Sequence, residues 1–551
     1  MTRTPTPVDE LADAFVARFA ALDPLAATAI GVRGHDHEMT DFSPAGNAAR
    51  AELARETLRA LDRIAPQDAT DEVTIETLRY EIGSEVELDE AGELLSQLNN
   101  IDSPLQAMRD AFDLMATDTD EDWAIVAERM RALPAAARGY VEALNAAADD
   151  GHIVAVRQFE EGVRQAAELA DPSSSFFAAL AAGGPEARRA ELEEAAAGAI
   201  AAYGELAEAL RELAPRGAQA DAFGRERYAM WSRAFIGAAV DLDETYAWGL
   251  EQLAEITAEQ TAIARRIAGP GASVEDAIRL LDSDPARKLH GTDALQRWMQ
   301  QTSDAAIAAL NGTHFEIPEP IQRLECRIAP TQTGGIYYTG PSDDLTRPGR
   351  MWWSVPAGVE EFGTWRELTT VYHEGVPGHH LQIATAVINR EELNSYRRLL
   401  AGTSGHAEGW ALYAERLMAD LGFLDDDGDR LGMLDGQRMR AARVVFDIGV
   451  HLGLPAPEEF GGGTWDADKG WELLNANIHM AEAFNRFEWL RYLGWAGQAP
   501  SYLVGQRLWR QIRDAKAAEA AARGEVFDAP AFHTRALKLG AIPLDVLAKA
   551  V

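Results

Sequence analysis

The sequence of 551 residues contains one cysteine, Cys326, and no long uninterrupted apolar run. A single cysteine excludes an intramolecular disulfide and any zinc site built on a cysteine cluster. It is also typical of proteins from reducing compartments. No stretch approaches the roughly 18–20 consecutive apolar residues that a membrane-spanning helix needs. Because 47% of the residues are hydrophobic, the chain can still form a sizeable core.

Basic residues are scarce as well. The 51 lysines and arginines stand against 88 aspartates and glutamates, so the formal net charge is −37. Nucleic acids and anionic membranes require clustered positive charge, and the sequence has no such cluster. The first residues lack the apolar segment and the small-residue cleavage site of a secretory signal peptide. We therefore expect no nucleic-acid partner, no membrane partner and a cytoplasmic location, and the sequence leaves the oligomeric state open.

Helical periodicity dominates the first 312 residues. Leu11, Phe15 and Phe19 recur every four residues, which places them on one face of a helix. Similar patterns continue to about residue 310, and short breaks rich in glycine and proline separate them. No fixed-period repeat suggests a solenoid. The pattern predicts a helical N-terminal part over residues 1–312 that forms one side of a cleft.

The composition changes after Gly312. Prolines, glycines and β-prone runs over residues 314–355 predict two or three short strands in a small sheet. A helical pattern resumes at about residue 361 and continues to the last residue. The predicted fold class is therefore mainly α, with a second part over residues 313–551 that contains the small sheet and further helices. We expect the two parts to form one intertwined globule.

Three of the 12 histidines, His373, His379 and His380, fall within eight positions, and Glu374 directly follows the first. Zinc peptidases commonly use a His-Glu-x-x-His motif on one helix, in which two imidazoles bind the metal and the glutamate is the base. Pro377 occupies the position of the second histidine here. The segment therefore departs from the usual motif.

An unbroken helix could not bring these histidines to one ion. His373 and His380 would stand about 10.5 Å apart along the axis, too far for two zinc–nitrogen bonds of about 2.0–2.1 Å. His379 would lie roughly 120° around the helix. Glycines and Pro377 permit a break, because proline removes a backbone donor and glycine tolerates unusual dihedrals. If two residues are inserted into the usual motif, His379 becomes the second ligand. His380 stays an alternative ligand, and a helix-turn-helix that binds no metal stays an alternative for the whole segment.

The third ligand is expected on a following helix. Glu408 lies 29 residues after His379, which is enough for a helix, a turn and an antiparallel return. Glu415 shares its face and is predicted to accept a hydrogen bond from a liganding imidazole. Alone, such a glutamate pair more often belongs to a solvated face, but the preceding histidines reverse that preference. The sequence thus predicts one zinc ion per chain, held by His373, His379 and Glu408.

The same segments resemble a known family. The matching runs lie at residues 373–382, 408–415, 445–451, 491–492, 497–502 and 540–544. They resemble the bacterial family catalogued as domain of unknown function 885, which is grouped with the zincin metallopeptidases. More distantly, the chain is similar to thimet oligopeptidases and thermostable zinc carboxypeptidases. Their motif His-Glu-x-Gly-His-x-Leu has its ending at Gly378-His379-His380-Leu381, two residues later, which favours His379.

The resemblance implies a zincin-like fold and a zinc-dependent metallopeptidase that hydrolyses short peptides. Glu374 would be the general base for a zinc-activated water. Tyr502, which matches a recurrent tyrosine of the family, would hold the developing oxyanion or else pack in the core. His451 would contact substrate or belong to a salt-bridged helical face. Tyr338 would bind substrate in the strand-rich segment, where an edge strand can pair with an extended peptide.

Two other functions stay open at this point. A zinc hydrolase that cleaves a non-peptide amide would use the same residues. A non-catalytic helical binding protein of the same fold would need neither the His-Glu pair nor Glu408, so their presence counts against it. The sequence gives neither the substrate preference nor the choice between exopeptidase and endopeptidase.

Overall fold

The computed structural model describes residues 3–329, 335–342, 345–356 and 358–551. Helices account for most of this chain, which confirms the mainly α fold class. The N-terminal helices are α1 (Pro7–Leu22), α2 (Pro24–Ala29), α3 (Pro44–Leu61), α4 (Ala69–Glu90), α5 (Pro104–Asp110), α6 (Asp120–Asp149), α7 (Val156–Ala170), α8 (Phe176–Gly183) and α9 (Arg189–Leu213). Four helices precede the sheet: α10 (Arg225–Ile236), α11 (Leu242–Ala268), α12 (Val274–Ser283) and α13 (Thr292–Leu310).

Nine helices follow the strand-rich segment. They are α14 (Thr364–Glu374), α15 (His379–Ile388), α16 (Ser404–Asp420), α17 (Asp427–Leu452), α18 (Ala467–Asn477), α19 (Glu482–Gly494), α20 (Ser501–Ala522), α21 (Ala529–Lys538) and α22 (Leu544–Ala550). The start of α16 is fixed by Thr403, whose hydroxyl accepts a hydrogen bond from the His406 N–H. This cap places Glu408 in the second turn of α16.

Short strands lie where the composition changes. They are β1 (Lys288–His290), β2 (Leu324–Ile328), β3 (Ile336–Thr339), β4 (Gly349–Trp353) and β5 (Glu361–Gly363). β4 is central, parallel to β2 and antiparallel to β3, which forms the small sheet predicted near residues 314–355. β1 and β5 pair with each other in a separate sheet. Each strand has only three residues, which is too short for a periodic pattern to predict it. Among the described strands, β3 lies at an edge of its sheet.

The hydrophobic core is divided into several clusters. The largest contains side chains from Tyr228 to Leu547 and surrounds α14, α16, α17 and α20. A second cluster joins α6 to α9, and a smaller one lies beneath the sheet. Side chains between residues 228 and 310 therefore share a core with the C-terminal helices. The boundary between the hydrophobic cores thus lies earlier in the chain than Gly312, where the composition changes. In the described part of the chain, no helix is long and apolar enough to cross a bilayer.

Candidate metal centre

A break between α14 and α15 brings two histidines together. α14 ends at Glu374 and α15 begins at His379, so the segment between them belongs to neither helix. The rings of His373 and His379 lie perpendicular to each other, with centroids 4.9 Å apart. Within the break, the Gly378 N–H donates to the Tyr372 carbonyl, and a methyl group on Gly378 would collide with the His373 carbonyl oxygen. Glycine is therefore required at this point of the break.

His373, His379 and Glu408 form a compact group. Nε2 of His373 lies 3.3 Å from Oε2 of Glu408, and Nε2 of His379 lies 3.6 Å from the same oxygen. One possible ligand atom from each residue lies within 4.8 Å of the others. Within the described ranges, Glu408 Oε2 is buried without a hydrogen-bond donor. Two imidazoles and a carboxylate fit a zinc ion with one position left for water, so the residues suit the predicted metal.

Glu415 orients His373 from the same helix that carries Glu408. Oε1 of Glu415 lies 2.8 Å from Nδ1 of His373, and Oε2 accepts a hydrogen bond of 2.7 Å from the Thr369 hydroxyl. When Nδ1 donates to this carboxylate, the Nε2 lone pair faces the group, as a metal ligand requires. Burial lowers the pKa of His373, but the neighbouring carboxylates of Glu408 and Glu415 outweigh burial and raise it to about 10. Two carboxylates thus make this position favourable for a cation.

Glu374 closes α14 directly beside the two histidines. Its carboxyl is buried, and burial raises its pKa although the positive charges of His379, His373 and Arg440 oppose the change. Burial of this kind favours the protonated form of a carboxyl. Glu374 thus lies at the end of α14, next to His373, and its role as a general base stays a prediction.

His380 lies next to the group but faces a different part of the molecule. Its Nε2 lies 2.8 Å from the Ile321 carbonyl oxygen and therefore donates. Its Nδ1 accepts from the Tyr338 hydroxyl at 2.9 Å. Burial lowers the pKa of His380 to about 4, so the ring is neutral. Because both nitrogens are engaged, His379 is the histidine that the structure brings together with His373.

Tyr338 stands on β3 and uses its hydroxyl to hold His380. This contact joins the edge strand to α15, close to His379. The hydroxyl is therefore engaged within the protein.

Tyr502 begins α20, which packs against the helix of Glu408. The neighbouring Ser501 hydroxyl lies 2.7 Å from that of Ser404 in the first turn of α16. The Tyr502 side chain is half-buried, and its hydroxyl oxygen accepts a hydrogen bond of 3.3 Å from Arg491. The structure thus places Tyr502 in the helix turn beside the Glu408 helix, outside the three-residue group.

His451 is placed differently from Tyr502. Its Nε2 donates to the Tyr492 carbonyl at 2.8 Å, and its Nδ1 accepts from the Phe223 N–H at 3.4 Å. The ring stacks against Tyr228 and has no exposed surface. Both ring nitrogens of His451 are therefore engaged within the protein, and the ring joins α17 to α19 and to the loop before α10.

Two residues near the group were missed by the sequence analysis. Thr369 lies one turn before His373, and that spacing is a signal that could have identified it. Arg440 acts on Glu374 from α17, 66 residues away in the chain, and no local pattern indicates such a contact. Contacts between distant helices of this kind emerge only from the packed structure.

Known proteins resemble the chain over nearly all its length. A sequence model of the family described as "Bacterial protein of unknown function (DUF885)" matches residues 24–551. A solved chain from Colwellia psychrerythraea, described as a "putative lipoprotein", has a TM-score of 0.84 and 19% identity, and the alignment covers 98% of this chain and 97% of that one. A "putative lipoprotein of unknown function" from Shewanella oneidensis has a TM-score of 0.74, 17% identity and 99% coverage of both chains. Among curated proteins, none matches the sequence.

These similarities differ in what they establish. The two solved chains share the overall fold with this protein, but their low identity carries no information about activity. An oligoendopeptidase F from Bacillus anthracis, itself described as "putative", aligns over 100% of this chain and 93% of that one, with 12% identity and a TM-score of only 0.33. A score that low does not establish a common fold.

Proposed function

The chain belongs to the bacterial family of unknown function DUF885. We propose that it is a zinc-dependent metallopeptidase that hydrolyses short peptides. The observation that carries this proposal is the group formed by His373, His379 and Glu408, with Glu374 beside it. The group offers three residues that would hold a zinc ion, and a buried carboxylate lies beside them. Zinc hydrolases require these parts together.

Each residue has a separate role in the proposed reaction. His373, His379 and Glu408 would hold the zinc ion, which when bound lowers the pKa of a water and polarises the substrate carbonyl. The Glu374 carboxylate accepts a proton from the attacking water and passes it to the nitrogen of the leaving amine. The Tyr502 hydroxyl donates a hydrogen bond to the oxyanion that develops on the carbonyl.

The edge strand β3 is the proposed binding surface for the peptide backbone. An extended peptide can add to an open strand edge through main-chain hydrogen bonds. The bond of 2.9 Å between the Tyr338 hydroxyl and His380 ties β3 to the start of α15. This tie supports a fixed distance between the bound peptide and His379.

The compartment of the protein stays a prediction. The composition favours the cytoplasm, whereas the two solved chains of the same fold carry a lipoprotein description. The second possibility would place this chain at the cell envelope. Fractionation of the native host, followed by immunoblotting of the cytoplasmic and envelope fractions, distinguishes the two.

Digestion of a mixed peptide library, read by mass spectrometry, tests the proposed function. The zinc-loaded protein should cleave short peptides, and Glu374→Gln should keep one zinc per chain while its turnover falls by roughly 10²–10⁴-fold, the usual contribution of a general base. The amide has nearly the same shape as the carboxylate but cannot accept the proton. Equal turnover by the two proteins, or no cleavage by fully zinc-loaded protein, would contradict the proposal.

A further inference from the structure

A buried hydrogen-bonded network lies behind the ring of Tyr502. It consists of Arg443, Glu488, Arg491 and Tyr492, each less than one tenth exposed. Arg443 donates to Glu488 at 2.7 Å and to the Tyr492 hydroxyl at 2.5 Å. Arg491 donates to Glu488 at 3.2 Å, and the Tyr492 hydroxyl also donates to this carboxylate. The network connects α17, α19 and the start of α20.

This network carries an excess positive charge. Burial opposes ionisation of Glu488, but the charges of Arg491 and Arg443 outweigh burial and lower its pKa to about 2. Two guanidinium groups therefore meet one carboxylate within the network. Outside it, burial raises the pKa of Asp102 and of Asp447, and the charge of Arg491 opposes both changes, so these carboxyls also face this guanidinium. The contact of the two guanidinium groups with a tyrosine that is a candidate for oxyanion binding suggests a use beyond packing.

The contacts with Tyr502 fix the direction of its hydroxyl proton. The guanidinium carbon of Arg443 lies 4.7 Å from the ring centroid, and Arg491 donates to the hydroxyl oxygen at 3.3 Å. A guanidinium can only donate, so the oxygen is the acceptor in this bond and its own proton must point elsewhere. Gln498 accepts a bond of 2.6 Å from the same Arg491 nitrogen and so fixes the guanidinium. The phenol proton is thereby directed away from the network.

Two contacts place the network beside the metal centre. The hydroxyls of Ser501 and Ser404 lie 2.7 Å apart, one helical turn before Glu408. On α17, Arg440 precedes the network by one turn, and its positive charge opposes the rise in the pKa of Glu374. α17 thus carries Arg443 of the network and, one turn earlier, Arg440, which acts on Glu374. α20 carries Tyr502 beside the contact between Ser501 and the Glu408 helix.

We infer that Arg491, supported by Arg443, is a positioning residue that orients the Tyr502 hydroxyl toward the oxyanion and supplies a buried positive charge behind it. The inference rests on the proposed peptidase function and deepens it. Arg491 does not touch the substrate and acts through the phenol. Its effect must therefore depend on the presence of the Tyr502 hydroxyl.

A double-mutant cycle on one cleaved peptide tests this dependence. Tyr502→Phe should lower kcat by roughly 10²–10³-fold with little change in KM, as expected for an oxyanion donor. Arg491→Lys keeps the charge but loses the planar fork, and it should lower kcat roughly 10–100-fold, the range of one hydrogen bond to a charged group. In the Tyr502→Phe background, Arg491→Lys should cause no further loss. Zinc content should stay at one per chain in all four proteins.

Two further variants keep the test decisive. Gln498→Leu removes one acceptor of the Arg491 guanidinium but keeps its charge, so it should lower kcat less than Arg491→Lys does. This loss should also disappear in the Tyr502→Phe background. The variant therefore tests the same dependence if Arg491→Lys folds poorly. Arg129→Lys is the matched control, because Arg129 is a buried arginine on α6 that donates to the carbonyls of Glu38 and His35. It should lower the melting temperature and leave kcat unchanged.

Additive losses in the double variant would overturn the positioning role. A second contradicting result is an increase in KM without a change in kcat, seen for peptides with a free C-terminal carboxylate but not for amidated peptides. This result would assign the arginines to substrate binding. Absence of any cleavage by zinc-loaded wild-type protein would instead refute the proposed function, and with it the role of Arg491. The three results are distinguishable because each appears in a different measurement.

Discussion

His379 and His380 are adjacent in the sequence but have different surroundings in the structure. His380 donates to the Ile321 carbonyl and accepts from Tyr338, so both of its ring nitrogens are engaged. His379 instead directs Nε2 toward Glu408 at 3.6 Å. The motif ending Gly-His-x-Leu favoured His379, but the sequence could not exclude His380, because its partner at Ile321 lies 59 residues away.

The two histidines should therefore respond differently to replacement. His379→Ala should reduce zinc from one per chain to near zero, because two ligands bind far more weakly than three. His380→Ala should keep the zinc and lower the free energy of unfolding by about 1–3 kcal/mol, the cost of leaving buried hydrogen-bonding groups unpaired. Metal analysis and urea unfolding of both variants measure these quantities. Loss of zinc in His380→Ala with full occupancy in His379→Ala would transfer the ligand role to His380.

At the scale of elements, the interruption between α14 and α15 determines the geometry of the site. The sequence required a break, since a continuous helix holds His373 and His379 on different faces. The structure ends α14 at Glu374 and packs Gly378 against the His373 carbonyl oxygen. The break was predictable from glycine and proline, whereas the close approach of Gly378 to the preceding turn depends on the path of the backbone.

Gly378→Ala should disturb this break. Its new methyl group would meet the carbonyl of His373, so the chain between the two histidines must shift. We expect weaker zinc binding and a lower melting temperature, measured by titration with a zinc indicator and by calorimetry. Gly83→Ala is the control, because Gly83 lies inside α4 with no neighbouring atom within 4 Å and alanine favours helix there by about 1 kcal/mol. Unchanged zinc affinity in Gly378→Ala would show that the break tolerates the shift.

The sequence pattern predicts some of the remaining elements but not the way in which they pair. The small sheet near residues 314–355 and the long helices were predictable from composition and periodicity. The parallel pairing of β2 with β4 was not, because it joins Leu324 to Gly349 across a segment without regular periodicity. The roles of the ligands, of Glu374 and of Tyr502 stay predictions. Their positions depend on contacts between helices that are distant in the sequence.

At the scale of the whole molecule, the N-terminal part contacts the C-terminal helix α19. The Asn100 side chain donates to the Phe487 carbonyl at 3.0 Å, and Gln158 donates to the Leu490 carbonyl at 3.2 Å. Both contacts hold α19, the helix that carries Glu488. The N-terminal part therefore holds one side of the buried network behind Tyr502, although that part contains no motif that predicts these contacts.

Zinc binding should stabilise the whole folded chain. A ligand that binds only the native state adds about 2.7 kcal/mol at a free concentration 100 times its dissociation constant. Removal of zinc with a chelator should therefore lower the melting temperature of the wild-type protein in calorimetry. The Glu408→Ala variant should show little difference between chelator and zinc. A similar chelator effect in both proteins would place the stabilising metal at another site.

The most direct test of the metal centre is anomalous diffraction from a crystal of zinc-loaded protein at the zinc absorption edge. The account predicts one strong peak at about 2.0–2.2 Å from Nε2 of His373, Nε2 of His379 and a carboxylate oxygen of Glu408. In that map His380 should keep its bonds to Ile321 and Tyr338. No peak at this position, or a peak bound by His380 instead of His379, would contradict it.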